Sequence, residues 1–173
     1  MGVLWPLEPA TAATHRLYQR YLDAWWPILL QTSRRTGYSR PQVTLLDAFA
    51  GPGRYEGGEP GSPVFILDRL LNHTAVDRMN LTPERVHLAF IEKDRARNEH
   101  LVSELTGRFG DLSELPVRVE VRRGEAGRDS IAVLSELGDV SLVGLRTPLL
   151  AVLGVLSVGL CQHFEGIPEP CMT

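Results

Sequence analysis

The run Val43-Thr-Leu-Leu-Asp-Ala-Phe-Ala-Gly-Pro-Gly-Arg-Tyr-Glu-Gly-Gly-Glu-Pro-Gly-Ser-Pro63 constrains this chain more than any other stretch. Val43, Leu45 and Leu46 form a short apolar run that predicts a buried strand, and Asp47 stands at its end. A loop with glycines at 51, 53, 57, 58 and 61 follows. Ser62 is expected to be an N-cap and Pro63 the first helical residue, where a missing N–H is harmless. Val64, Phe65, Ile66, Leu67, Leu70 and Leu71 supply an apolar helix body. A strand, a glycine loop and a helix in that order make the layout of a nucleotide-type site. Glycine tolerates positive φ and lets the main chain approach a ligand at the strand's carboxyl end. The start of the following helix favours anionic groups.

The spacing excludes two familiar variants. No Gly-Lys-Ser/Thr follows the glycines, so this is not a P-loop, and the full G-x-G-x-x-G fingerprint is also missing. A G-x-G pair alone is equally compatible with an ornate surface turn. The second half of the pattern is Val86-His-Leu-Ala-Phe-Ile-Glu-Lys-Asp94, another apolar run that ends directly on an acid. A carboxylate at the tip of a second strand can accept hydrogen bonds from both ribose hydroxyls. Glu92 lies about twice as far past the glycines as the usual ~20 residues, and the long loop and the polar connection from Asn72 to Arg85 account for the excess. The competing reading is that Glu92-Lys-Asp94 only caps the next helix, a role expected of Asp94.

Around this centre the chain alternates. A leader spans residues 1–10, and a helix is expected from Thr11 or Thr14, with Leu17, Tyr21, Trp25 and Ile28 on one face and Tyr18, Leu22 and Leu29 widening it. That aromatic stripe is read as core rather than a base-stacking platform. Pro27 should kink or end the helix. Gln31 to Gln42, with Arg34, Arg35 and Arg40, reads as a solvated basic connector, with phosphate contact the lesser alternative. After the second strand, Leu101, Leu105 and Phe109 predict a helix ending at Gly110. Val117, Val119 and Val121 predict a half-buried strand towards a sheet edge, and Ile131, Leu134 and Leu137 a further helix face. This order predicts an α/β fold with a parallel sheet and right-handed crossovers. Val140 to Leu145 is the expected fourth buried strand.

At 173 residues one domain is the default, and a net charge of -3 supplies no nucleic-acid footprint. Nucleic acid is therefore a partner that the net charge does not support. No signal peptide opens the chain, and Cys161 and Cys171 are its only cysteines, so a reducing cytoplasm is the expected compartment. Leu149 to Leu160 is almost wholly apolar but shorter than the ~20 residues a bilayer requires, so no membrane helix is expected. Cys161, His163 and Cys171 have no recognised zinc spacing, and no metal site is expected.

On Asp47-Ala-Phe-Ala-Gly-Pro-Gly53, its continuation to Pro63, Phe90-Ile-Glu-Lys-Asp-Arg95 and Tyr21-Leu-Asp-Ala-Trp-Trp-Pro-Ile-Leu29, the chain resembles the three-Cys-motif partner family, TcmP, over about residues 12 to 140. That family is similar to class I S-adenosylmethionine-dependent methyltransferases, and Asp-x-Phe-x-Gly-x-Gly resembles the first motif of nucleic-acid methyltransferases. The resemblance implies a partial doubly wound, Rossmann-like parallel sheet with S-adenosylmethionine as cofactor. Asp47 and the backbone of Phe49, Ala50, Gly51, Pro52 and Gly53 would cradle its methionine part. Glu92, with Lys93 beside it, would hold the ribose, and Asp129 or Glu125 the adenine edge. It assigns no catalytic residue, and it gives Arg54, Tyr55, Glu56 and Glu59 no role that the residues themselves explain. Family members are typically encoded beside a radical-SAM-like protein with three cysteines, the implied partner.

The family is expected to continue into a strand ending in Asp-Pro-Phe-Gly and a further C-terminal half. Val140-Ser-Leu-Val-Gly-Leu-Arg-Thr-Pro-Leu149 lacks that motif. The expected organisation is therefore a leader, helix and connector over 1–42, a cofactor-binding core over 43–145, and an atypical apolar tail over 146–173. The C-terminal half of the sheet is expected to be missing through truncation or a frame shift. Methyl transfer, docking to the three-Cys protein without catalysis, and a fragment too incomplete to fold stably are the three functional expectations.

Overall fold

A computed structural model describes residues 2–33, 35, 37 and 42–136, together with the backbone of three short strands further on. The element order is α1 (Pro9–Leu30), β1 (Val43–Asp47), α2 (Ser62–Leu71), α3 (Val76–Met79), β2 (Val86–Glu92), α4 (Arg95–Phe109), β3 (Arg118–Arg123) and α5 (Arg128–Glu136). Then come β4 (Val140–Ser141), β5 (Gly144–Leu145) and β6 (Leu149–Val152). The main sheet runs β3-β2-β1-β6 with every neighbouring pair parallel. The fold is thus mixed α/β on a parallel sheet, compatible with part of a Rossmann-like fold.

Both faces of the sheet centre are covered, which is why β1 and β2 are buried along their whole length and mostly apolar, with Thr44 and His87 buried among the hydrophobic residues. On one face Val43, Leu45, Val86, Leu88 and Phe90 pack with α1, α2 and α4. On the other, Leu46, Ala89 and Ile91 meet Val133 of α5. β3 lies at the sheet edge and alternates charge with valine, as its sequence predicts. Asp94 caps α4 by accepting from Arg97 N at 2.9 Å, and Gly110 ends that helix at φ 79°.

Several sequence expectations are corrected. In α1 the buried residues are His15, Leu22, Trp26 and Leu30, whereas Leu17 (70% exposed), Tyr21 (48%) and Ile28 (74%) face outward. Both stripes have helical spacing, so periodicity alone cannot choose between them; packing against α2 does. Pro27 does not end the helix, which continues to Leu30. Proline removes the N–H that would serve the Asp23 carbonyl one turn back, and His73 Nε2 donates to that oxygen instead at 2.9 Å. The proton lies on Nε2 because Nδ1 accepts from Ala75 N at 3.0 Å. Arg69 of α2 fastens the same turn, with Asp23 in bidentate contact at 2.6 and 2.9 Å and Gln19 at 3.0 Å.

In α5 the buried positions are Ser130 and Val133, while Ile131 is 62% exposed. Leu137 lies outside the described residues, as do Arg34, Arg40, Cys161, His163 and Cys171. The expected fourth strand is also displaced. Val140–Ser141 and Gly144–Leu145 pair with each other in an antiparallel ladder, and Leu149–Val152 takes the place beside β1. Four consecutive apolar residues suit a parallel strand beside β1 better than Val-Ser and Gly-Leu do. Among the described residues, no helix is long and apolar enough to cross a membrane.

Candidate functional site

β1 and β2 are adjacent and parallel, with Asp47 opposite Phe90, so Asp47 and Glu92 emerge at the same end of the sheet. Each is almost fully buried, at 1% and 7% exposure. The loop between β1 and α2 folds over that end. Ala50 N donates to Ile91 O at 3.0 Å, tying the loop to β2, and Gly51 and Gly53 adopt φ of 66° and 84°. The glycine run is not one open loop. Arg54 bridges Pro60, Tyr55 N donates to Glu59 O, and Gly61 N donates to Gly53 O, closing residues 54–60 into a small hairpin. At Gly61 a Cβ would stand 2.9 Å from the carbonyl carbon of Gly53, a backbone atom with little freedom to yield.

Asp47 is held by two donors, Phe49 N at 3.1 Å to Oδ1 and Ser62 Oγ at 2.5 Å to Oδ2. Ser62 is therefore not the N-cap that the sequence suggests. Gly61 occupies that position, and the Ser62 hydroxyl serves a buried carboxylate that needs a donor more than a solvated helix end does. Burial nonetheless pushes the Asp47 carboxyl up to about 6. Ser62 and Phe49 oppose the rise, and the nearby negative charge of Glu92 adds to it. The influence of Glu92 on Asp47 places the two acids in one electrostatic neighbourhood.

Glu92 is bound to the cradle itself. Its Oε2 accepts from Gly51 N at 3.0 Å, and its Oε1 accepts from Asp94 N at 2.8 Å and Arg97 Nε at 3.1 Å. A carboxylate offers about four lone-pair sites, so these three donors leave roughly one, on Oε2. Asp94 caps the helix, and Glu92 organises the loop. Lys93 pairs with Glu125 across the outer rim. Asp129 accepts from Glu125 N at 2.6 Å, so it braces the β3–α5 loop, and Glu125 is the member of that pair on the cleft wall.

Two cavities adjoin the loop. A cleft of about 570 Å³, within the range of small-molecule sites, lies between the glycine loop and the loop after β3, with Phe49, Gly51, Glu92, Arg97 and Glu125 on its walls. The second is a small cavity of about 30 Å³ with Asp47, Ser62, Tyr18 and His15 at its surface. The Tyr18 hydroxyl there has no hydrogen-bond partner among the described residues, and burial raises its pKa. Burial also lowers that of His15, favouring the neutral ring. Phe49, 44% exposed, borders both cavities and offers an apolar contact.

Three residues that the sequence does not flag complete the site. His100 Nδ1 donates to Pro52 O at 2.7 Å and pins the middle of the glycine loop to α4. Arg97 reaches Glu92 from the same helix. Trp5 of the leader lies against Gly51 and under the Arg97 guanidinium, 5.0 Å from ring centroid to Cζ. His100 follows Pro52 by 48 residues and Trp5 precedes Gly51 by 46, and no local pattern links such positions. Comparison with protein-family models, with curated proteins and with solved structures gives no match for this chain.

Proposed function

We propose that this chain binds S-adenosylmethionine at the lip formed by Asp47 and Glu92, as a methyltransferase-like domain of the TcmP type. The observation that carries the reading is the placement of two buried carboxylates at the ends of adjacent parallel strands, on either side of a glycine cradle with positive φ. The residues fit the group. Asp47 and the Tyr18 hydroxyl give the small cavity the polarity to receive the ammonium of a methionine moiety, and Gly51 keeps a side chain off the surface that both cavities share. Glu92 faces the larger cleft, where ribose hydroxyls would find an acceptor, and Phe49 offers an apolar wall. The cofactor would supply the activated sulfonium methyl; the chain's part is to orient it and exclude water. None of the described residues stands out as a base, so the methyl acceptor stays outside the proposal.

Calorimetric titration with S-adenosylmethionine and S-adenosylhomocysteine tests it. Binding is expected in the wild type, and Glu92→Gln, which keeps an acceptor for Gly51 N, should lose about tenfold or more in affinity while remaining folded. A folded protein that takes up neither ligand at millimolar concentration refutes the proposal.

A second reading, a non-catalytic partner that docks to a radical-SAM-like three-Cys protein, draws on the outward row Leu17, Tyr21 and Ile28 of α1. Co-elution with that protein, abolished by Ile28→Ser, separates it from the first.

A further inference from the structure

We propose that the N-terminal leader is a latch: Trp5 and Arg97 hold the site in a closed form, and ligand binding requires the indole to leave. This inference rests on the cofactor reading above. Trp5, Phe49 and Gly51 border both the small Asp47 cavity and the larger Glu92 cleft. A ligand that engages both acids must cross the surface of Gly51, and the indole covers it. A Cβ built on Gly51 would stand only 3.5 Å from Trp5 Cζ2, which is van der Waals contact.

The latch also acts on the acid. Ribose recognition asks for two acceptors from Glu92, yet Arg97 Nε takes one of the lone pairs on Oε1. The Arg97 guanidinium is stacked on the Trp5 ring, a cation–π contact that holds it over the cleft. Trp5 is therefore a positioning residue. While the ring is in place, Arg97 stays on Glu92 and the cavities stay apart; when it leaves, the arginine can swing away and the second acceptor becomes free. Glu56 N donates to Trp5 O at 3.1 Å, which ties the leader to the loop. Trp5 lies outside the strands and helices, so it can move without disturbing the core.

The test is S-adenosylhomocysteine binding by the wild type and by Trp5→Ala, with thermal melts confirming that both are folded. A closed form at about 90% population weakens apparent affinity about tenfold, so Trp5→Ala should bind about tenfold more tightly. Equal or weaker binding by Trp5→Ala overturns the latch and leaves the cofactor reading intact, whereas two folded proteins that bind nothing overturn both. Hydrogen exchange in the wild type gives a check that needs no variant. The Glu56 amide, bonded to the leader, should exchange faster when S-adenosylhomocysteine is added. Slower exchange there means that the leader closes over the ligand, and the proposal fails.

Discussion

Asp47→Asn should make the protein more stable at pH 8 and erase part of its pH dependence. The wild-type carboxyl is raised by burial from 3.8 to about 6, so at pH 8 the fold carries a charge it would rather not hold. Between those two values the folded protein keeps a proton that the unfolded chain has released. Stability from this group is therefore fully present below about pH 4 and is lost as pH rises through about 6. Each tenfold change in proton affinity between the folded and unfolded chain is worth about 1.36 kcal/mol, so the penalty at pH 8 is about 3 kcal/mol. Asparagine keeps an oxygen for Phe49 N, and its amide can donate to Ser62 Oγ once that hydroxyl turns round.

Urea unfolding of both proteins at pH 4.5, 6 and 8 provides the assay. The variant should gain about 2–3 kcal/mol over wild type at pH 8 and about 1 kcal/mol at pH 4.5. Taking the difference cancels Asp111, Glu125, Asp129 and Glu136, whose hydrogen-bonded or paired carboxyls are lowered and work in the opposite direction. A variant less stable than wild type at pH 8, or a difference that does not change with pH, refutes the burial argument. The same substitution should weaken S-adenosylhomocysteine binding, because a buried charge held against stability is the usual cost of a binding site.

Two further outcomes follow from the packing. His73→Ala strips the donor from the Asp23 carbonyl and should cost about 1–3 kcal/mol in urea unfolding. Adding Pro27→Ala, which returns an N–H to that carbonyl, should recover part of the loss, and strict additivity of the two changes refutes the link. In α1, Trp26→Ala should cost about 3–5 kcal/mol, whereas Ile28→Ser should stay within about 0.5 kcal/mol. Comparable losses at both positions contradict the assigned face.

By itself the sequence determined the order of elements as far as α5, apart from the short α3 in the connection after α2, and it placed the two acids at the strand ends. Val43–Leu46 and Val86–Ile91 are mostly apolar, with Thr44 and His87 as their polar members, because both faces of the sheet are covered, so they show in a short window. Gly51 and Gly53 were legible because only glycine takes a positive φ without strain, and Asp94 because a cap bonds three residues along. The tertiary structure decided whatever depended on partners far along the chain. Which α1 stripe is buried depended on where α2 lies, and the sheet place beside β1 went to Leu149–Val152 over Val140–Leu145 through pairing. Ser62 left its expected capping role because Asp47 is buried beside it. Trp5, Arg97 and His100 reach the glycine loop from the leader and α4, contacts that exist only once sheet and helices have closed around them. Local backbone rules act over a few residues and can be read in order along a chain; shared burial acts through space, and only the fold brings it about.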